Sequence, residues 1–271
     1  MNLPLSDLHM HTTYCDGKGS AEEMVLSAIA KGFHTVGISG HSHTPHDTRY
    51  CMTRQEAYLE ECRELKKKYA DRISVQVGLE LEAMSPEIPS ELDYLIGSVH
   101  YFTVGDRYFD VDGSAEKQER ALAEGFGGDL HALIDNYFDS VVAMVERFRP
   151  DIVGHFDLIT KFSERGSIID PSDRYYRGAA LDALRAVVRI SPRLEVNSGA
   201  ISRGYRTEAY PSDELICEAL REGGRLILTS DAHAPENIGF AFDAAVRRLL
   251  SLGCDRVDVR RADRFEEMKL I

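Results

Sequence analysis

The chain has 271 residues, 43% of them hydrophobic and 28% charged, the balance of a soluble globular protein with enough length to bury a sizeable core. A formal net charge of −13 and a pI near 5.2 argue against nonspecific binding to long nucleic acids or to an anionic membrane surface. Cys15, Cys51, Cys62, Cys217 and Cys254 are odd in number, scattered and without a C-x-x-C pair, which fits a reduced, cytoplasmic protein. No signal-peptide pattern and no apolar run near the roughly 20 residues of a transmembrane helix is visible.

Leu3, Leu5 and Leu8 lead into Asp7-Leu8-His9-Met10-His11, which reads as a buried strand ending in polar residues. On a strand, His9 and His11 share a face, and Asp7 shares their parity, so it could orient or join them. Two adjacent imidazoles are awkward to bury unless a divalent metal takes them as ligands. Ser20 with Glu23 predicts a capped helix ending at Gly32. Thr35–Ser39 is a strand reaching His41, Thr53–Tyr69 a charged helix, Ile73–Leu81 a strand reaching Glu80, and Tyr94–Tyr101 a strand reaching His100. Gly125–Asp129 is a loop whose Asp129 caps a long amphipathic helix, Leu130–Phe148. Asp151–His155 is a short strand, Ala179–Val188 a helix, Leu194–Asn197 a strand, and Ser212–Arg221 a helix stopped at Gly223-Gly224. Arg225–Asp231 is a strand, Pro235–Leu252 is mostly helix, and Asp255–Val259 is a short final strand. Lys66-Lys67-Lys68 and Arg260-Arg261 read as solvated faces.

Alternating strands and helices imply a parallel sheet, and no repeat, low-complexity tract or linker divides it. Polar residues gather where strands end. Of ten histidines, His9, His11, His41, His100, His155 and His233 close apolar strands, the last within Asp231-Ala232-His233. One such histidine could be merely hydrogen-bonded; the shared placement of all of them points to a common site. Glu80 inside an apolar strand needs a cation, because an unpaired buried carboxylate is costly. So many ligand-bearing strand ends favour a barrel with its site at the C-terminal mouth over an open doubly wound sheet.

Six motifs, D-L-H-M-H at 7–11, G-H at 40–41, G-L-E at 78–80, S-V-H at 98–100, G-H-F-D at 154–157 and S-D-A-H at 230–233, resemble those of the polymerase-and-histidinol-phosphatase (PHP) superfamily of metal-dependent phosphoesterases, in the same order. The resemblance implies an α/β fold, a distorted (β/α)7 TIM-like barrel of one domain over residues 1–271, with three divalent ions, zinc, iron or manganese, at its mouth. Carried over, His9, His11, Glu80 and Asp231 hold one ion. Glu80 bridges to a second held with His100 and His155. Asp16, His41 and His233 hold the third, although Asp16 could simply be a turn residue before Gly17. Cys15 reads as a packed thiol rather than a soft ligand. Metal ions that acidify water and neutralise phosphate oxygens suit hydroxide attack on phosphorus, with Glu80, Asp231 and His233 in catalytic roles and the latter two as candidate proton donors.

Within the superfamily, Gly127-Gly128, Tyr137, the run Pro150–Phe162, Glu195-Val196-Asn197-Ser198-Gly199, Arg203 and Tyr210-Pro211-Ser212 resemble the histidinol-phosphate phosphatases. That resemblance implies hydrolysis of L-histidinol phosphate to L-histidinol and phosphate, with a small phosphorylated substrate as the partner. Lys161 and Arg203 are expected to grip phosphate, with Arg165 and Arg206 as competitors; Asn197 and Asp157 are expected substrate contacts, Asp157 alternatively a support behind the ligands. Tyr101, Phe102, Phe156 and Phe162 read as packing rather than as a shelf for an imidazole. Other readings are a phosphoesterase acting on another small phosphomonoester or on short nucleotides, and a non-catalytic metal-binding protein. The oligomeric state is not legible.

Overall fold

Ser20 caps the first helix as its sequence dictates: its hydroxyl accepts from the Glu23 backbone N–H, and the Glu23 carboxylate accepts from the Ser20 backbone N–H. The computed structural model describes residues 3–270. In chain order its elements are β1 (Ser6–Asp7), α1 (Ala21–Ala30), β2 (Thr35–Ile38), α2 (Gln55–Lys68), β3 (Ser74–Glu82), β4 (Tyr94–Ser98), β5 (Tyr101–Val104), β6 (Arg107–Asp110), α3 (Ala115–Gly125), α4 (Leu130–Phe148), β7 (Ile152–Val153), α5 (Arg174–Val188), β8 (Arg193–Asn197), α6 (Gly199–Ser202), α7 (Asp213–Arg221), β9 (Arg225–Thr229), α8 (Phe242–Ser251), β10 (Arg256–Arg261) and β11 (Arg264–Lys269).

Seven parallel strands, β1-β2-β3-β4-β7-β8-β9, lie side by side in that order. At their C-terminal end the ring closes: Met10 bridges Ala232 in parallel, the His11 N–H donates to the Ala232 carbonyl, and the Ala232 N–H donates to the His9 carbonyl. At the other end β10 is wedged in. It pairs with β9 at Asp258 and Ile227 and donates the Arg260 N–H to Ser6 Oγ. The expected distorted barrel of seven parallel strands is therefore present, pinched at the mouth and splayed at the base.

Apolar side chains form two layers. Leu8, Tyr94, Ile96, Ile152 and Ile227 fill the barrel interior, and a larger core packs the strands against the surrounding helices. Tyr94 is the plug. A Cβ on Gly37 would meet its hydroxyl at 2.2 Å, and one on Gly78 would meet its ring at the same distance. Both glycines of the V-G-I and V-G-L-E strands are thus spacers for one buried ring.

The sequence reading differs from the structure in several places. The strand from Tyr94 stops at Ser98, and Tyr101 onwards forms an antiparallel β5–β6 hairpin outside the barrel, followed by helix α3. The α5 helix begins earlier than Ala179 because the Asp173 carboxylate caps it on the Tyr175 and Tyr176 N–H groups. Pro235–Asn237 is a single 3-10 turn, and positive φ at Gly239 and Ala241 delays α8 to Phe242. A final antiparallel strand, β11, covers β10. No helix among the described residues is long and apolar enough to cross a membrane.

Candidate metal centre and active site

Every ligand-bearing motif arrives at the same end of the barrel, because each lies just past the C-terminal end of a parallel strand or in its last residues. Glu80 is the hub. Its Oε1 lies 2.9 Å from His155 Nε2 and 3.4 Å from His100 Nε2. Its Oε2 lies 2.9 Å from His41 Nδ1, 3.3 Å from His9 Nε2 and 3.5 Å from His11 Nε2. Asp231 Oδ1 approaches His11 Nε2 at 3.2 Å, and Asp16 approaches His11, His41 and His233 at 3.3, 3.7 and 3.1 Å. All nine side chains expected as ligands meet here. They overlap more than expected: His11 and His41 each stand between two groups, turning one ring nitrogen toward Glu80 and the other toward Asp16.

Electrostatics follow from this packing. Burial would raise the Glu80 carboxyl, but His9, His41 and His100 hold it well below the usual range. Burial likewise opposes charge on Asp231 and Asp16; Arg203 with His9 overrides it at Asp231, and His41 with His11 at Asp16, so both stay below ordinary carboxylates. Burial disfavours protonated His9 and His11, yet Glu195, Glu80 and Asp231 raise His9, and Asp16 with Asp231 raises His11. His100 is raised to about 9, against burial, by Glu80 and Glu82. His233 is pushed down to about 4 by burial and by His11. The carboxylates thus demand positive charge among the imidazoles, whether protons or divalent ions supply it.

A divalent metal fits this donor set. Glu80 Oε2 and Asp16 Oδ1 are buried and make no hydrogen bond, although imidazole nitrogens surround them. Buried carboxylate oxygens left without a donor are expensive, and a cation resolves both at once. Neutral imidazole and carboxylate together are the ligands of zinc, iron and manganese sites.

Beside the cluster lies a cavity of about 220 Å³. Asp16, His41, Glu80, His100, His155, Asp231 and His233 face it, together with Lys161, Arg203, Tyr101 and Asp112. Arg203 Nη1 donates to the Asp231 carbonyl and Nη2 to Asp231 Oδ2, each at 3.1 Å. Lys161 Nζ donates to the Asp112 carboxylate at 2.9 Å. Both expected cations therefore line the cavity. Arg165 and Arg206 do not, being turned toward the Gly204 carbonyl and Thr160.

Four expectations need correction. Asn197 and Asp157 are buried behind the cavity wall rather than on it. Asn197 Nδ2 donates to Glu195 at 3.0 Å, and Asp157 Oδ2 accepts from the Ser212 N–H at 3.1 Å. Asp7 does not join the ligands: it accepts from the Ser230 and Gly239 N–H groups and anchors β1 to the end of β9. Phe102, Phe156 and Phe162 are core, as expected, whereas Tyr101 reaches the cavity. Sequence reasoning missed Glu82 and Glu195. Glu82 Oε2 sits 2.7 Å from His100 Nδ1, and Glu195 Oε1 sits 2.6 Å from His9 Nδ1. The argument applied to Glu80, a carboxylate inside an apolar strand, would have found both.

Comparison with known proteins gives a consistent picture. Residues 7–199 match the PHP domain family. The probable histidinol-phosphatase of Deinococcus radiodurans is 31% identical, the alignment covering 94% of this chain and 96% of that protein. The histidinol-phosphatase of Bacillus subtilis is 26% identical over 89% of this chain and 98% of its own. Among solved structures, histidinol phosphate phosphatase from Lactococcus lactis, in complex with zinc, L-histidinol and phosphate, superposes with a TM-score of 0.70 at 20% identity, covering 96% of this chain and 98% of that one.

Proposed function

The chain belongs to the PHP domain family, and from that premise we propose that it is a metal-dependent phosphomonoesterase hydrolysing L-histidinol phosphate to L-histidinol and phosphate. The observation that carries the chemistry is Glu80, whose two buried oxygens face five imidazoles beside a cavity bearing two cations. What narrows the substrate is the run of histidinol-phosphatases similar to the chain over most of its length. A cavity of about 220 Å³ suits a small ligand rather than a polymer, in keeping with the acidic net charge of −13.

The proposed complement is three divalent ions, zinc, iron or manganese. His9, His11, Glu80 and Asp231 would hold the first, Glu80, His100 and His155 the second, and Asp16, His41 and His233 the third. Such ions supply Lewis acidity toward phosphate oxygens and make water acidic enough to attack near neutral pH. Arg203 offers a planar fork to the phosphate and Lys161 a point charge. Asp231 and His233 face the cavity with His233 Nδ1 3.4 Å from Asp231 Oδ1, and they are the proposed proton-transfer groups, including the candidate donors to the leaving alkoxide. The proposed unit spans all 271 residues, since β10 and β11 continue the same sheet beyond residue 199. The proposed setting is the cytoplasm.

The test is phosphate release from a panel of substrates by the metal-loaded protein. L-histidinol phosphate should exceed generic phosphomonoesters and dinucleotides by about two orders of magnitude or more in kcat/KM. Equal rates across the panel would sink the substrate assignment while leaving the phosphoesterase chemistry standing.

A further inference from the structure

Among the seven parallel barrel strands, β8 supplies none of the nine proposed ligands, yet it stands between β7 and β9, which lead to His155 and Asp231. What β8 points inward is Glu195, which is fully buried. Its Oε1 lies 2.6 Å from His9 Nδ1. Its Oε2 accepts from the His155 backbone N–H at 2.9 Å and from Asn197 Nδ2 at 3.0 Å. The Asn197 amide cannot turn over freely, because its Oδ1 accepts from the Gly199 N–H at 2.9 Å. One carboxylate of β8 thus ties the segments that follow β1 and β7 to its own strand through groups that are not themselves aimed at the cavity.

We propose that Glu195 is a positioning residue that fixes the tautomer of His9, holding the proton on Nδ1 so that Nε2, beside Glu80 and His11, is the nitrogen left to bind an ion. This rests on the metal-centre reading above and adds a role that reading does not need. The argument is a donor count. Three donors, His9 Nδ1–H, the His155 N–H and the Asn197 amide, meet two acceptor oxygens, and only a carboxylate supplies both. The His155 N–H is backbone and cannot become an acceptor.

Glutamine at this position has the same shape but one oxygen. If its oxygen meets the His155 N–H and Asn197, its NH2 group faces His9 Nδ1. That nitrogen must then accept, and the ring proton moves to Nε2, where it blocks the lone pair. If glutamine turns the other way, two buried donors face a third, at the cost of unsatisfied buried polar groups. Glu82 holds His100 Nδ1 at 2.7 Å in the same fashion, so the device is used twice.

The experiment compares zinc affinity of the wild type, Glu195→Gln and His9→Ala by competition with a chromophoric chelator, with circular dichroism as the check on folding. Glu195→Gln is expected to lose about 10- to 100-fold in its tightest zinc affinity, as His9→Ala does. Glu195→Gln that binds like wild type while His9→Ala does not would overturn the proposal and leave the metal-centre reading intact. Wild-type affinity in both variants would overturn the ligand role of His9 and the proposal with it. A second readout needs no variant. In nitrogen-15 spectra of the zinc-loaded wild type, His9 Nδ1 should carry the proton; a bare Nδ1 overturns the assignment.

Discussion

Arg203 grips Asp231 at two points, its Nη1 on the backbone carbonyl and its Nη2 on Oδ2, while Asp231 holds the left-handed backbone at a φ of 46°. A non-glycine residue there is strained, and such strain persists only where surrounding contacts impose it. Arg203 is half of that imposition, and it also lines the cavity. For Arg203→Ala we expect KM to rise through loss of the phosphate contact and kcat to fall through relaxation of Asp231, together about 10- to 100-fold in kcat/KM. Steady-state kinetics on L-histidinol phosphate check this. An unchanged KM would reassign the phosphate grip to Lys161.

Glu80→Gln keeps the shape of the hub and removes its charge. The five imidazoles around it then lose their shared counter-charge, so both metal content and rate should fall. Elemental analysis of the purified variant should show at least about one ion fewer per chain, and kcat should drop by about 100-fold or more. Full metal occupancy with wild-type turnover would show that Glu80 does not bridge.

The candidate ligands were legible because strand geometry leaves little freedom. His9 and His11 alternate onto one face, and Glu80 within an apolar strand has no cheap explanation. The closing of the barrel was less legible. The parallel bridge from Met10 to Ala232 joins segments from opposite ends of the chain, and no local pattern encodes which strands meet there. The β5–β6 hairpin was hidden because Val99 and Tyr101 continue the strand-forming pattern of Tyr94–Ile96, and no proline or turn pair marks the break after Ser98. Asn197 and Asp157 were misread for a different reason: a polar residue at a strand end can face the cavity or the neighbouring strand, and only packing decides between them.

Proton release should accompany metal uptake. Burial alone would lower His100, but Glu80 and Glu82 raise it from 6.5 to about 9. A raised histidine stabilises the folded protein fully below its unfolded value, and that contribution is lost as pH rises through the folded value. Chelator-treated protein should therefore lose Tm between about pH 6.5 and 9, with His9 and His11 acting in the same direction. Ions compete for the same positions, so zinc affinity should rise across that window. Calorimetry in buffers of different ionisation enthalpy at pH 7.5 should register proton release on zinc binding; uptake of zinc without it would contradict the charge arrangement.

Gly199 tests whether Asp231 must stand where it does. A Cβ at this position would meet Asp231 Oδ2 at 2.5 Å and Asp231 Cβ at 2.7 Å, too close for either to stay. The backbone of Gly199 is not in the left-handed region, so alanine is conformationally acceptable and the substitution acts through that contact alone. Gly199→Ala should push Asp231 off its bonds to Arg203 and lower kcat by about 100-fold, the scale of an ångström-sized displacement at a reacting centre. Gly178→Ala is the control: it lies in α5 with no atom near the added methyl, and it should gain about 0.5–1 kcal/mol of stability with unchanged turnover. Equal kinetics for the two variants would show that the site tolerates movement of Asp231, and would remove that residue from the proposed proton-transfer groups.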